Sequence, residues 1–124
     1  MQRADPRGFG EVLLDDGDID LAWSAAAAAP RDALGADFWL RLAEAREPQH
    51  PADALAVFLR VAGEVLEHAD RNAYRHGSRI LLRARTAAEA ADQLDEFDSF
   101  LAHVREQYRR RPTLIAILDK ANLR

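Results

Sequence analysis

The chain contains no cysteine. Disulfide bonds, thiolate zinc sites and cysteine nucleophiles are therefore excluded. Its longest uncharged run, residues 21–30, is far shorter than the ~20 apolar residues that a membrane-spanning helix needs. The first eight residues are polar and lack the apolar stretch of a signal peptide. From these absences we expect a cytoplasmic protein that does not contact membranes.

The sequence also lacks the residue patterns that are typical of catalysis and of metal binding. A zinc site needs three or four convergent ligands, but no two histidines lie three or four residues apart. The histidines are His50, His68, His76 and His103. No serine has a glycine-framed nucleophile elbow, and the six glycines form no phosphate-binding loop. We expect no enzyme activity, no cofactor and no metal; a deep polar pocket with His103 or His68 beside a carboxylate would indicate an enzyme instead.

The residues that are present suit one globular domain. The chain has 124 residues, of which 48% are hydrophobic, and its net charge is −4. We expect a flexible segment over residues 1–8 and a single domain over 9–124. Residues 1–70 hold 14 acidic and 6 basic residues, whereas residues 71–124 hold 7 acidic and 11 basic residues. The two halves therefore differ in sign, at −8 and +4. Sixteen of the seventeen basic residues are arginine, a bias typical of GC-rich bacterial genomes.

Helical patterns run through the whole sequence. Apolar residues recur at i, i+3, i+4 and i+7, most clearly over residues 55–66, and no segment alternates as a strand would. Proline and glycine separate the apolar patterns and set the helix ends. The sequence predicts an all-α fold of six to seven helices, over residues 9–14, 19–29, 36–47, 51–69, 72–93, 95–110 and 113–121.

Short loops predict antiparallel hairpins between successive helices. Pairing the second helix with the third, the fourth with the fifth and the sixth with the seventh gives three hairpins. Ile19 and Ala52 mark similar points in the first two hairpins and lie 33 residues apart, which is close to the tetratricopeptide period. The third begins about 43 residues later, so the period is not kept. We interpret the fold as a degenerate tetratricopeptide-like array, with an irregular helical bundle as the alternative.

Two groups of arginines are candidates for contact with a partner or with phosphate. The first, here called the arginine ridge, recurs every four residues and consists of Arg71, Arg75, Arg79 and Arg83. The second is Arg109, Arg110 and Arg111, with Arg105 one helical turn before them. Both could bind phosphate groups or an acidic peptide. The alternative is a solvated helix face, or arginines paired with nearby acidic residues. No aromatic residue interleaves with the arginines, which disfavours single-stranded nucleic acid.

Two apolar features have alternative interpretations. Trp23 and Trp39 lie on adjacent helices and are expected to pack together in the core, although an exposed tryptophan would be an anchor for a partner. The last helix carries apolar residues on more than one side, at 114, 115, 117 and 118. Either this helix is deeply buried or it contacts a second copy of the chain in a homodimer.

Several segments resemble the C-terminal helical region of bacterial SWIM zinc-finger proteins. They are GDIDLAW at 17–23, FWLRLAEARE at 38–47 with HPADAL at 50–55, and RRR at 109–111 with TLIAILDKANL at 113–123. The resemblance covers most of residues 10–124 and implies a helical, tetratricopeptide-like region. In that family the zinc-binding element precedes this region with a CxC…CxH pattern, so the zinc does not carry over to a chain without cysteine. Pro112 departs from the continuous basic stretch of the family.

Together, the hairpins and the absence of a catalytic set predict a non-enzymatic helical module for protein interaction or assembly, with an unidentified protein partner. The alternative is a nucleic-acid-associated accessory domain that uses the arginine ridge.

Overall fold

The computed structural model describes residues 6–30 and 33–124. This part of the chain is all-helical and has no strand, which confirms the predicted fold class. The helices are α1 Pro6–Asp15, α2 Ile19–Ala28, α3 Ala36–Arg46, α4 Pro51–Leu66, α5 Arg71–Ala91, α6 Leu94–Gln107 and α7 Pro112–Lys120. Of the segment expected to be flexible, residues 1–5 lie outside the described residues and 6–8 belong to the first turn of α1. None of the described helices combines the length and apolar character needed to cross a membrane.

Three helices end in the same backbone motif. After α1, the Asp18 N–H donates to the Leu13 carbonyl at 2.8 Å, and Gly17 adopts φ of 82°. This is a Schellman turn, in which a left-handed residue reverses the chain. Asp92 and Asn122 take the same left-handed role after α5 and α7, with φ of 56° and 61°. The turns after α1 and α5 keep the connections to the next helices short, as the sequence predicts.

The buried side chains form two clusters. The larger is built on α4 and α5 and includes the fully buried rings of Phe58 and Phe97. The smaller lies among α1, α2 and α3 around Phe38. Trp23 and Trp39 pack against both clusters.

Helices α4 and α5 form the most extensive helix pair. Leu66 lies directly against Gly77 near the connecting loop, whereas Phe58 lies under the Arg83 guanidinium farther from it. Residues that contact each other across the two helices are farther apart in the sequence the farther they lie from the loop. The two helices are therefore antiparallel. This confirms the hairpin expected from the fourth and fifth predicted helices.

Helix α7 does not pack closely against α6, contrary to the expected hairpin of the sixth and seventh helices. It packs instead against α5. Arg111 bonds to Tyr74 and Arg85 bonds to the Asn122 carbonyl, and both pairs are separated by 37 residues. A constant separation means that α5 and α7 run parallel. Leu114 and Leu118 are fully buried in the larger cluster, which also includes Phe97, Leu101 and Val104 of α6. Helices α6 and α7 thus meet through side chains in this cluster and through the bonds of Arg105 to Asp119 and the Leu123 carbonyl, and not as a close helix pair.

Candidate functional site

A groove of about 700 Å³ lies between α5 and α7. Each helix presents one face to it. From α7 come Thr113, Ala116, Ile117 and Lys120, which are spaced i, i+3, i+4 and i+7. Leu114 and Leu118 of α7 turn to the opposite side and are fully buried. The parallel packing of the two helices therefore leaves a second, partly exposed face of α7 next to α5.

The base of this α5–α7 groove is apolar. Leu82, Ile117 and Ala121 line it and are partly exposed, and Ala116 and Pro112 are exposed. These side chains are aliphatic, and the described lining includes no aromatic ring. The base is thus suited to the burial of aliphatic or other apolar groups from outside the chain.

Four cations, here called the cationic rim, edge the groove: Arg71, Arg75, Arg79 and Lys120. All four are exposed. Within the described residues, none of the four side chains makes an ion pair, a hydrogen bond or a ring contact. By contrast, Arg46 pairs with two aspartates and Arg105 pairs with Asp119. The positive charge of the rim is therefore uncompensated within this part of the chain.

The four arginines of the predicted ridge do not all face the groove. Residues four apart on a helix are displaced by about 40° around the axis, so three such steps accumulate to about 120°. Arg83 consequently leaves the groove and stacks over Phe58 at 5.7 Å. Its guanidinium also lies 3.6 Å from a carboxylate oxygen of Glu47. Three ridge arginines thus line the groove, and the fourth, Arg83, contacts Phe58 of α4 and Glu47 at the end of α3.

The second arginine group is divided as well. Arg111 donates a hydrogen bond to the Tyr74 hydroxyl at 3.0 Å, and it adjoins Arg71 in a small cavity at one end of the groove. Arg109 pairs with Glu106 at 3.5 Å, and both side chains are largely exposed. Arg110 is exposed and has no ion pair within the described part. Of this group, only Arg111 adjoins a residue of the groove.

Ser78 is a lining residue that the sequence reasoning did not select. It is 4% exposed and lies on the same face of α5 as Arg71, Arg75 and Leu82. Its hydroxyl makes no hydrogen bond to any described residue. Its position three residues after Arg75 is the sequence signal that could have identified it.

The two tryptophans pack together, as the sequence predicts. Their ring centroids are 5.8 Å apart in an edge-to-face arrangement. The guanidinium of Arg46 lies over Trp23 at 4.7 Å, and that of Arg60 lies over Trp39 at 4.6 Å. These contacts join α2, α3 and α4 and give both rings a structural role.

The residues that would have indicated an enzyme do not form a buried acid–base pair. His103 shares a surface cavity of about 280 Å³ with Glu64 and Glu67. All three are exposed, and no hydrogen bond joins the histidine to either carboxylate in the described structure. His68 is also exposed. No group of three or more histidine, aspartate or glutamate side chains within residues 6–30 and 33–124 is placed to hold a metal ion.

Tyr108 borders the same cavity as His103. Partial burial raises the pKa of the Tyr108 hydroxyl above its usual value, and the negative charge of Glu67 acts in the same direction. The nearby Arg111 guanidinium opposes this increase in pKa.

Comparisons with known protein families, with curated proteins and with solved structures found no match for this chain.

Proposed function

We propose that the chain is a non-enzymatic interaction module that holds a segment of a protein partner in the α5–α7 groove. The observation that carries the proposal is the combination of an aliphatic base with four cations that have no partner among the described residues. A complementary segment places apolar side chains on the base and carboxylates against the cationic rim. Amphipathic helices bind grooves in this manner.

The groove chemistry favours a polypeptide over a nucleic acid. Proteins that bind single strands stack bases on aromatic side chains, and the described lining of the groove is aliphatic. The net charge of −4 also opposes general attraction to a phosphate backbone. The regular row of three arginines still offers phosphate contacts, so a nucleic acid is the alternative ligand of this surface.

The helix contacts support a tetratricopeptide-like arrangement as part of this proposal. An added Cβ on Gly63 of α4 would lie 3.7 Å from the ring of Phe100 in α6, a separation of 37 residues. The same separation relates α5 to α7 through Arg111 and Tyr74. Glu47 and Arg83 relate α3 to α5 by 36 residues. A nearly constant offset is what stacked helical hairpins produce.

The relationship to SWIM zinc-finger proteins and the cytoplasmic location stay predictions.

The proposal is tested with a designed helical peptide of about four turns that has leucines along one face and glutamates beside them. We expect it to bind the chain and to shift the backbone amide NMR signals of residues lining α5 and α7. Changing the glutamates to lysines, or the leucines to alanines, should weaken binding by at least about tenfold. Binding that is insensitive to both changes would contradict the proposal.

Two double variants with equal charge change locate the binding surface. Arg75→Glu/Arg79→Glu reverses the cationic rim, whereas Arg109→Glu/Arg110→Glu reverses the turn after α6. We expect only the first to abolish peptide binding. Equal loss in both would show that net charge, not the groove, governs binding.

The nucleic-acid alternative uses the same two variants. Single-stranded and duplex DNA and RNA are titrated at low and high salt, because phosphate contacts weaken steeply with salt. Salt-sensitive binding that is lost only in Arg75→Glu/Arg79→Glu, in a chain that does not bind the peptide, would favour the alternative.

A further inference from the structure

The turn between α1 and α2 presents unusually exposed apolar side chains. Val12 is 58% exposed and Leu21 is 59% exposed. Among the described residues the only other exposed large hydrophobic side chain is Leu94, which is 41% exposed. Val12 and Leu21 flank the turn at similar distances along the chain, one on each helix. This concentration of exposed apolar side chains suggests a contact outside the chain.

Three exposed carboxylates lie at the same turn. They belong to Asp15, Asp16 and Asp18, here called the acidic tip, and none forms an ion pair within the described residues. Val12, Asp15 and Asp16 are spaced i, i+3 and i+4, so they share one side of α1. The Schellman turn at Gly17 holds the tip in a defined shape. Asp20, one turn into α2, differs because it already pairs with Arg46.

The tip and the groove are complementary in charge and in polarity. The tip offers three carboxylates beside two exposed aliphatic side chains, and the groove offers four cations around an aliphatic base. We infer that the occupant of the α5–α7 groove is the acidic tip of a second copy of this chain. This inference depends on the proposed function, because it assumes that the groove is a docking site.

The tip and the groove lie on different parts of the chain. Helix α1 packs against α2 and α3, and α7 packs against α5. The contact therefore joins two different surfaces of two copies. Such a heterologous contact leaves one free tip and one free groove in every dimer, so association continues head to tail unless a ring closes. This growth distinguishes it from a symmetric homodimer.

Salt should weaken the association. The carboxylates and cations are exposed, and exposed ion pairs are individually weak and easily screened. We expect sedimentation velocity to show species larger than a dimer that grow with protein concentration. Raising NaCl from about 20 mM to about 300 mM shortens the Debye length from roughly 20 Å to roughly 6 Å and should dissociate them.

A mixing experiment tests the inference. Asp15→Lys/Asp16→Lys disables the tip and keeps the groove. Arg75→Ala/Arg79→Ala disables the groove and keeps the tip, and alanine creates no new attraction for the lysines. Each variant alone should be a monomer, whereas an equimolar mixture should form a dimer that grows no further. That restored dimer is expected only if tip and groove bind each other.

The matched control is Glu64→Lys/Glu67→Lys. Like Asp15 and Asp16, these two residues occupy the last turn and the C-cap of a helix, where lysine suits the helix dipole. We expect this variant to associate like the unchanged chain. Loss of association in the control, or a mixture that stays monomeric, would overturn the inference.

The failure of this inference is separable from that of the proposed function. A chain that stays monomeric at low salt but binds the leucine–glutamate peptide would refute the second-copy occupant and keep the groove as a docking site. A chain that neither associates nor binds the peptide would refute both.

Discussion

Two glycines inside the α4–α5 hairpin should respond oppositely to the same substitution. Alanine in place of a helical glycine favours the helix by about 1 kcal/mol. At Gly63 an added Cβ would meet only the ring of Phe100, at an ordinary 3.7 Å. At Gly77 it would lie 2.6 Å from Cδ2 and 2.8 Å from Cγ of Leu66. We expect Gly63→Ala to stabilise the chain and Gly77→Ala to destabilise it.

The magnitude follows from the packing around Leu66. This side chain is 1% exposed, so it has no open space into which it can turn. An extra methyl group in such a core costs about 1–3 kcal/mol. Because the gain in helix propensity is common to both variants, the difference between their free energies of unfolding should be about 1–3 kcal/mol. Gly77→Ala alone should therefore lower the free energy of unfolding by up to about 2 kcal/mol.

Urea and thermal unfolding, followed by circular dichroism at 222 nm, measure this difference. For a chain of this size, 1 kcal/mol corresponds to roughly 3–5 °C in Tm. Adding Leu66→Val to Gly77→Ala should restore part of the loss, since valine is shorter, and a double-mutant cycle gives the coupling. Equal Tm values for Gly63→Ala and Gly77→Ala would refute the close helix contact.

Three further changes test other contacts by urea unfolding. Asp92→Gly should raise the free energy of unfolding by about 0.5–1 kcal/mol, because glycine accepts φ of 56° more readily and removes a negative charge from the end of α5; a loss of stability would contradict this. Arg46→Gln should lower the free energy of unfolding by about 1–2 kcal/mol, because it removes ion pairs at 3.0 and 2.9 Å to Asp20 and Asp53. An unchanged free energy of unfolding would mean that these pairs contribute little. Folding raises the pKa of Tyr108 above 10.0, so the folded state binds this proton more tightly than the unfolded state does. The free energy of unfolding should therefore fall as pH rises above about 10. Tyr108→Phe should lessen that fall, and an unchanged pH profile would count against the shift.

The helices could be predicted from the sequence because the signals that define them are local. The apolar spacing over residues 55–66 and the prolines at 51 and 112 mark α4 and α7 within a few residues. Three bounds were each off by three residues: the start of α1, predicted at 9 but found at Pro6, and the C-terminal ends of α4 and α6. Helices α4 and α6 were predicted to continue to 69 and 110 but end at Leu66 and Gln107. Residues there form turns that lack strong breakers, so the pattern alone does not stop the helix.

The groove could be predicted only in part, because it depends on a long-range contact. The spacing of Arg71, Arg75 and Arg79 indicates a shared face, but not what lies beside it. That α7 packs parallel to α5 follows from where Leu114 and Leu118 are buried, in a core that other helices build. The same placement creates the aliphatic base of the groove and the burial of Ser78.

The division of the arginine ridge gives its members opposite expected effects on stability. Arg75 has like charges four residues away on both sides and no ion pair within the described residues. Like charges at this spacing each destabilise a helix by about 0.2–0.5 kcal/mol. Arg83 instead stacks over Phe58 and lies 3.6 Å from Glu47. The contacts of Arg83 therefore stabilise the fold, whereas no contact within the described residues gives Arg75 a stabilising role.

We expect Arg75→Gln to raise the free energy of unfolding by about 0.5 kcal/mol at low salt, an effect that salt should diminish. Arg83→Gln should lower it, because Glu47 loses its cation and the Phe58 ring loses its cover. Parallel urea unfolding at two salt concentrations measures both variants. If Arg75→Gln proved as destabilising as Arg83→Gln, the rim arginines would be part of the fold. The uncompensated charge on which the groove's proposed role rests would then be absent.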